Sequence, residues 1–256
     1  MSQPSTVRRC WPRPERGTAT STTARSHSLG CGSISSTPAE RACRRESAYH
    51  RHPPQVAALP QAGGRDHTGR FLPMSEIVDQ FKRSVALFDS VVASVPDDAW
   101  GNDTPCADWN ATELLRHQCG VLDALAGIAR TGEVSMPQMA DDAGDPAAQW
   151  QATRDGVLDA IDGADLSAED KYWFGPMSFE NFVGMVQWDP LTHAWDLAQS
   201  TGNPIDLPDD LCEATLARVQ ALGDIPRKWR LITDAIDVPD DAPMSHRYLG
   251  YVGRQP

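Results

Sequence analysis

The chain has 256 residues, 40% of them hydrophobic, with 20 prolines, six cysteines and a formal net charge of −12, which is room for one or two domains. Charge divides unevenly: residues 1–73 carry eleven Arg, no Lys and four acids, a balance of +7, which leaves −19 for residues 74–256. Such an acidic body repels phosphates, excluding nucleic acid and anionic membranes as its partners, and no apolar run is long enough to cross a membrane or to act as a secretory signal.

Residues 1–73 are rich in Ser, Thr, Pro, Gly and Arg and follow neither the helical nor the strand period. A disordered leader is therefore expected there. Two readings stay open: an acid-poor organellar transit peptide, or a start assigned too early, with the natural start at Met74. The leader has little aromatic interleaving and no nucleic-acid motif. Cys10, Cys31 and Cys43 in the leader and Cys106, Cys119 and Cys212 beyond it form no Cys-x-x-Cys pair. Reduced thiols and a cytoplasmic location follow as expectations.

From Met74 onward the pattern is helical. Residues 75–95 place Ile77, Val78, Phe81, Val85, Leu87, Phe88, Val91 and Val92 on one broad stripe, with Ser75 as the expected cap and Pro96 as the stop. After a turn-rich connection from Trp100 to Trp109, Asn110 opens a second helix with Glu113 at capping-box spacing. His117 falls among Leu114, Val121, Leu125 and Ile128 and so points inward, either as a satisfied core histidine or as a ligand. Cys119 faces another side and reads as packing. A third helix over 147–161 is amphipathic through Trp150, Val157, Leu158 and Ile161. Tyr172, Trp173 and Phe174 then read as a packed corner, closed by Gly175 and Pro176.

A fourth helix is expected from near Ser178, with Phe182, Val183, Met185 and Val186 inward. It leads into 188–201, which reads Trp-Asp-Pro-Leu-Thr-His-Ala-Trp-Asp-Leu-Ala-Gln-Ser-Thr. On a helix Asp189 and His193 share one face a turn apart. Pro190 leaves two outcomes open: a kinked continuous helix with Asp189 aimed inward, or a fresh helix with Asp189 as N-cap and Pro190 at its first position. Asp196 is expected to be a solvated surface carboxylate, with a role behind His193 as the alternative. Gly202 reads as a C-cap, and a fifth helix follows over 209–222. The tail from Asp224 is expected to be irregular apart from a final turn near Tyr248 to Val252. No strand run long enough for a sheet, no phosphate loop and no internal repeat is found.

These residues resemble a known family. Thr104-Pro105-Cys106-Ala107-Asp108-Trp109, then Leu114, Leu115 and His117, then Asp189, His193 and Trp195-Asp196-Leu197-Ala198, are similar to the metal-binding domain of the mycothiol-dependent maleylpyruvate isomerases and the wider DinB-like group. Val238-Pro239-Asp240-Asp241-Ala242-Pro243 and Gly253-Arg254-Gln255-Pro256 look like an actinobacterial metal-binding subgroup of it. The resemblance covers residues 74–256. It implies an all-α fold, a DinB-like four-helix bundle with one additional helix. It further implies one divalent metal, zinc first and nickel or iron next, held by His117, Asp189 and His193. The isomerases typically have Glu where this chain has Asp189, and they carry a further C-terminal domain for which this chain is expected to have no room.

Two functions follow. Three protein ligands leave positions open on the metal, where a low-molecular-weight thiol such as mycothiol could become a nucleophilic thiolate, or water a hydroxide. Thiol-dependent transfer or isomerisation is the first reading and metal-dependent hydrolysis the second chemistry; the partners are a small-molecule substrate and a thiol. The rival is a non-catalytic bundle with a structural or absent metal. No catalytic residue stands out in the sequence, and a homodimer is an open alternative for assembly.

Overall fold

A computed structural model describes residues 74–106 and 109–256, so the leader expected over 1–73 lies outside the described residues. Helix α1 (Met74–Val92) buries the predicted stripe apart from Leu87, which is half-buried, and starts one residue before Ser75, which therefore stands inside the helix and not at its cap. Helix α2 (Ala111–Thr131) begins with the expected capping box: Asn110 accepts from the Glu113 amide and Glu113 accepts from the Asn110 amide. Helix α3 (Pro146–Asp162) has Asp145 as N-cap and Pro146 at its start, a pairing that costs no backbone donor. Trp150 is fully buried against Phe88, with ring centroids 4.6 Å apart, and its indole donates to Asp89.

The expectation that no strand run is long enough for a sheet is corrected only by a short two-stranded hairpin. Strands β1 (Glu169–Tyr172) and β2 (Gly175–Ser178) pair antiparallel from Glu169 with Ser178 to Tyr172 with Gly175. Trp173 and Phe174 thus form its two-residue tip, and Gly175, at φ 125°, provides a conformation that side-chain-bearing residues rarely adopt. Four residues per strand are too few to show alternation in the sequence.

Helices α4 (Phe179–Val186) and α5 (Trp188–Ser200) together form one broken rod. Ser178 caps α4, and Gln187 between the two keeps helical angles, its carbonyl accepting from the Leu191 amide at 3.3 Å. Pro190 falls in the first turn of α5, where an amide would have no intrahelical partner. Neither outcome left open at Pro190 is found as framed: the helix breaks at Gln187 and a fresh one starts at Trp188, with Asp189 and Pro190 inside its first turn and Asp189 not its N-cap. A buried polar cluster secures the break: Arg218 donates to Gln187 Oε1 and Gln80 Oε1, and Gln187 Nε2 donates to Thr215. Burial pushes the Arg218 guanidinium down to about 10.

Helices α1, α2, α3 and the broken α4–α5 rod make the four-helix bundle around the main apolar core. Every residue of α5 from Asp189 to Ala198 is buried. Its outer side is covered by a second core, in which Leu191 and Trp195 meet Leu211, Leu216, Tyr248 and Leu249. Helix α6 (Asp209–Ala221) is the predicted additional helix. The tail is more ordered than expected, with short helices α7 (Ile225–Lys228) and α8 (Met244–Tyr251). Tyr248 is fully buried, and its hydroxyl meets Thr192 at 2.6 Å. A helix surrounded on all sides must pair every polar side chain that it carries, and this condition governs the site.

Candidate metal centre

The periodicity of α2 turns His117 toward the bundle interior, and the break at Gln187 turns Asp189 and His193 to meet it. The ligating atoms of these three residues all lie within 4.8 Å of one another. His117 Nε2 is 3.3 Å from Asp189 Oδ2, and His193 Nε2 is 3.7 Å from Asp189 Oδ1. Trp109 stacks on His117 at 4.3 Å between centroids and stands edge-to-face with His193 at 6.0 Å. The indole therefore fixes the orientation of the first imidazole and shields the second.

Asp196 departs from expectation. It is fully buried, not solvated, and its Oδ2 lies 2.9 Å from His193 Nδ1. Arg254 forks onto it, with Nε 2.8 Å from Oδ1 and Nη2 2.7 Å from Oδ2. Burial alone would raise the Asp196 pKa, but Arg254 and His193 hold it down at about 2. An ionised Asp196 accepts a hydrogen bond from His193 Nδ1–H and so leaves Nε2 as the ring nitrogen that faces Asp189. Burial likewise opposes ionisation of Asp189, and His117, His193 and Arg254 reverse the balance, holding it below the usual carboxylate range. For His193, burial lowers the pKa and the carboxylates of Asp189 and Asp196 outweigh it.

Arg254 is a site residue outside the ligand set that the resemblance implies. It stands in the quoted Gly253-Arg254-Gln255-Pro256 ending, and a lone Arg beside a Gly in a closing motif was the available signal. Gly253 has φ +81°, and a Cβ there would lie 1.9 Å from Thr233 Oγ1, so this turn admits no side chain.

The residues present fit a divalent ion. Two imidazoles and a carboxylate are a zinc-type donor set, and ligand atoms about 2.0–2.2 Å from a tetrahedral ion lie roughly 3.2–3.6 Å apart. The two histidine–carboxylate separations, 3.3 and 3.7 Å, are close to that size, and all three ligating atoms lie within 4.8 Å of one another. Asp189 Oδ2 is buried and accepts no hydrogen bond, and Trp109 Nε1 is also buried without a partner. The three groups form the floor of a cleft, partly continuous with solvent, whose walls include Val121, Met136, Trp173, Phe174, Trp229 and Leu231. The corner at Tyr172 to Phe174 is packed as expected, through Tyr172 stacked on Phe182 at 4.6 Å, yet its tip also lines the cleft. Cys119 is buried in the main core, and Cys106, Cys119 and Cys212 form no disulfide. Among the described residues no helix is long and apolar enough to cross a membrane.

Residues 81–198 match the family model described as the mycothiol maleylpyruvate isomerase N-terminal domain. That segment contains His117, Asp189, His193 and Asp196, and the resemblance read from the motifs is thereby borne out. Two uncharacterized proteins from two strains of Mycobacterium tuberculosis are each 27% identical over 175 residues, which is 68% of this chain and 94% of theirs. A crystal structure of a mutant mycothiol-dependent maleylpyruvate isomerase has a TM-score of 0.39 and 17% identity, covering 57% of this chain and 68% of that one.

Proposed function

We propose that this chain, which resembles the mycothiol maleylpyruvate isomerase N-terminal domain over residues 81–198, is a metal-dependent protein acting on a small molecule with a low-molecular-weight thiol of the mycothiol type. His117, Asp189 and His193 are its metal ligands. The observation that carries the reading is the convergence of these three side chains, from two helices, on one buried point at the floor of a cleft, with one carboxylate oxygen left without a hydrogen bond.

A divalent ion bound there, zinc by preference with nickel or iron next, would bind the thiol, lower its pKa and supply a thiolate nucleophile. The protein's own groups prepare this. Asp196 holds the Nδ1 proton of His193 and commits the ring to one tautomer, Arg254 fixes Asp196, and Trp109 fixes His117. The walls of the space above are largely aromatic and aliphatic, which strengthens charge interactions beside them. Transfer or isomerisation of an electrophilic substrate is the reaction class that matches.

Metal analysis of the purified protein by mass spectrometry, beside His117→Ala and His193→Ala, tests the assignment. About one metal per chain in the parent, lost in both variants, is the expected result. A parent that takes up no zinc, nickel or iron on loading would sink it and leave a bundle whose two histidines form ion pairs with Asp189.

A further inference from the structure

The cleft above the histidines differs in character from its floor. Its walls come from three connecting segments: Met136 and Pro137 between α2 and α3, Trp173 and Phe174 at the hairpin tip, and Trp229 and Leu231 after α7. Trp173 donates its indole proton to Ser135 O at 2.6 Å, joining two of the segments, and Phe174 stacks on Trp229 at 6.3 Å, joining the third. Met136 is 55% exposed; among the described residues, it and Val134 in the same segment are the large hydrophobic side chains that face solvent. A soluble surface leaves such side chains in contact with water at a cost, and a cluster of them around a concave opening marks a ligand's place.

Charge at the opening is as informative. Of the described residues that line the cleft, Arg254 is the one that is permanently cationic, and its guanidinium is forked onto Asp196. Asp189 contributes a carboxylate, and residues 74–256 carry a balance of −19. A carboxylate placed among Trp173, Phe174 and Trp229 would lose its water with no side-chain cation beside it to replace that water. Indole rings and a methionine thioether accept flat or branched apolar groups readily.

We infer that the cleft takes a molecule with an apolar, aromatic or branched body and a single polar head directed at the His117–Asp189–His193 floor, and that it selects against a second anionic group on that body. The inference deepens the functional reading above by naming its substrate class, and it depends on that reading only for where the head group goes. Trp229, Leu231 and Arg254 lie outside the segment matched by the family model. Ligand preference is therefore set partly by residues that the family match does not reach.

Isothermal titration of the full-length protein, with and without zinc, against three probes provides the test. Naphthylmethanol has the apolar body and a neutral head, naphthylmethanethiol has the same body and a thiol, and mercaptosuccinate has a thiol and two carboxylates. Naphthylmethanol is expected to bind in both conditions, naphthylmethanethiol to gain about tenfold or more with zinc, and mercaptosuccinate to bind at least about tenfold more weakly than naphthylmethanethiol. Met136→Asp and Leu231→Asp should each weaken both naphthyl probes about tenfold. Mercaptosuccinate binding as tightly as naphthylmethanethiol, or naphthylmethanol binding that ignores both substitutions, overturns the inference. Absence of any zinc effect, with naphthylmethanol still bound and still sensitive to Met136→Asp, overturns the metal reading and supports the cleft's selectivity.

Discussion

His117, Asp189 and His193 stand on two helices of the bundle, whereas Met136, Trp173, Phe174, Trp229 and Leu231 stand on three connections between helices and strands. The floor is buried, polar and held by charge-assisted contacts such as the Arg254 fork on Asp196; the rim is partly exposed, apolar and joined by ring packing. Changes in the floor should therefore cost stability and metal together. Changes in the rim should alter ligand preference and leave the fold alone.

The largest effect should come from the support beneath the floor. Arg254→Met leaves Asp196 buried without its counter-charge, and a loss of about 3–5 kcal/mol is expected by chemical denaturation, with metal affinity reduced roughly 10–100-fold. Arg254→Lys should recover only part of both, because an ammonium cannot reproduce the two-point fork. The same contact predicts the acid response. Asp196 has a folded pKa of about 2, below the unfolded value of about 3.9. Its contribution is present in full above about pH 4 and is lost as pH falls towards 2. Denaturation curves across that range should fall more steeply in the parent than in Arg254→Met, which has already lost the contribution; parallel curves would contradict the clamp.

Next in size is Gly120→Ala, in the helix that carries His117. A Cβ at Gly120 would lie 1.7 Å from Gln138 O, and backbone cannot yield as a side-chain end does. A loss of about 1–3 kcal/mol is expected, with greater proteolysis in 132–145 as the segment lifts from α2. Met136→Ser should change stability by no more than about 0.5 kcal/mol, since the side chain is mostly exposed, while still weakening apolar ligands. The smallest effect belongs to Arg83→Ala, which breaks an exposed ion pair with Asp210 for about 0–1 kcal/mol in thermal denaturation.

The same division between floor and rim explains what could be read from the sequence. His117 and His193 recur in phase with buried Leu114, Val121 and Leu197, so helical period alone aimed both inward. Asp189 could not be settled that way, since Pro190 is compatible with a kink or a start and the break was set at Gln187 by its contacts with Arg218 and Thr215, 31 and 28 residues further along the chain. Asp196 was misjudged because one turn of α5 taken alone offers it to solvent; the second core and Arg254, 58 residues on, cover it. The rim was illegible because connections have no period, and the hairpin's strands were too short to reveal one.

Between α2 and α3 the backbone is stitched to α2 at one point: Arg116 Nε donates to Ala140 O at 2.8 Å, the Ala140 amide donates to Arg116 O at 3.1 Å, and Gln138 O lies over Gly120. Just upstream, Val134 and Met136 face outward and contribute nothing to that seam. An anchored stretch with exposed side chains beside it can accumulate substitutions at 134 and 136 without refolding the bundle or disturbing the imidazoles. Divergence among descendants of this chain, and libraries built on it, would thus find new molecular preferences there first, with the metal-facing residues inherited unchanged.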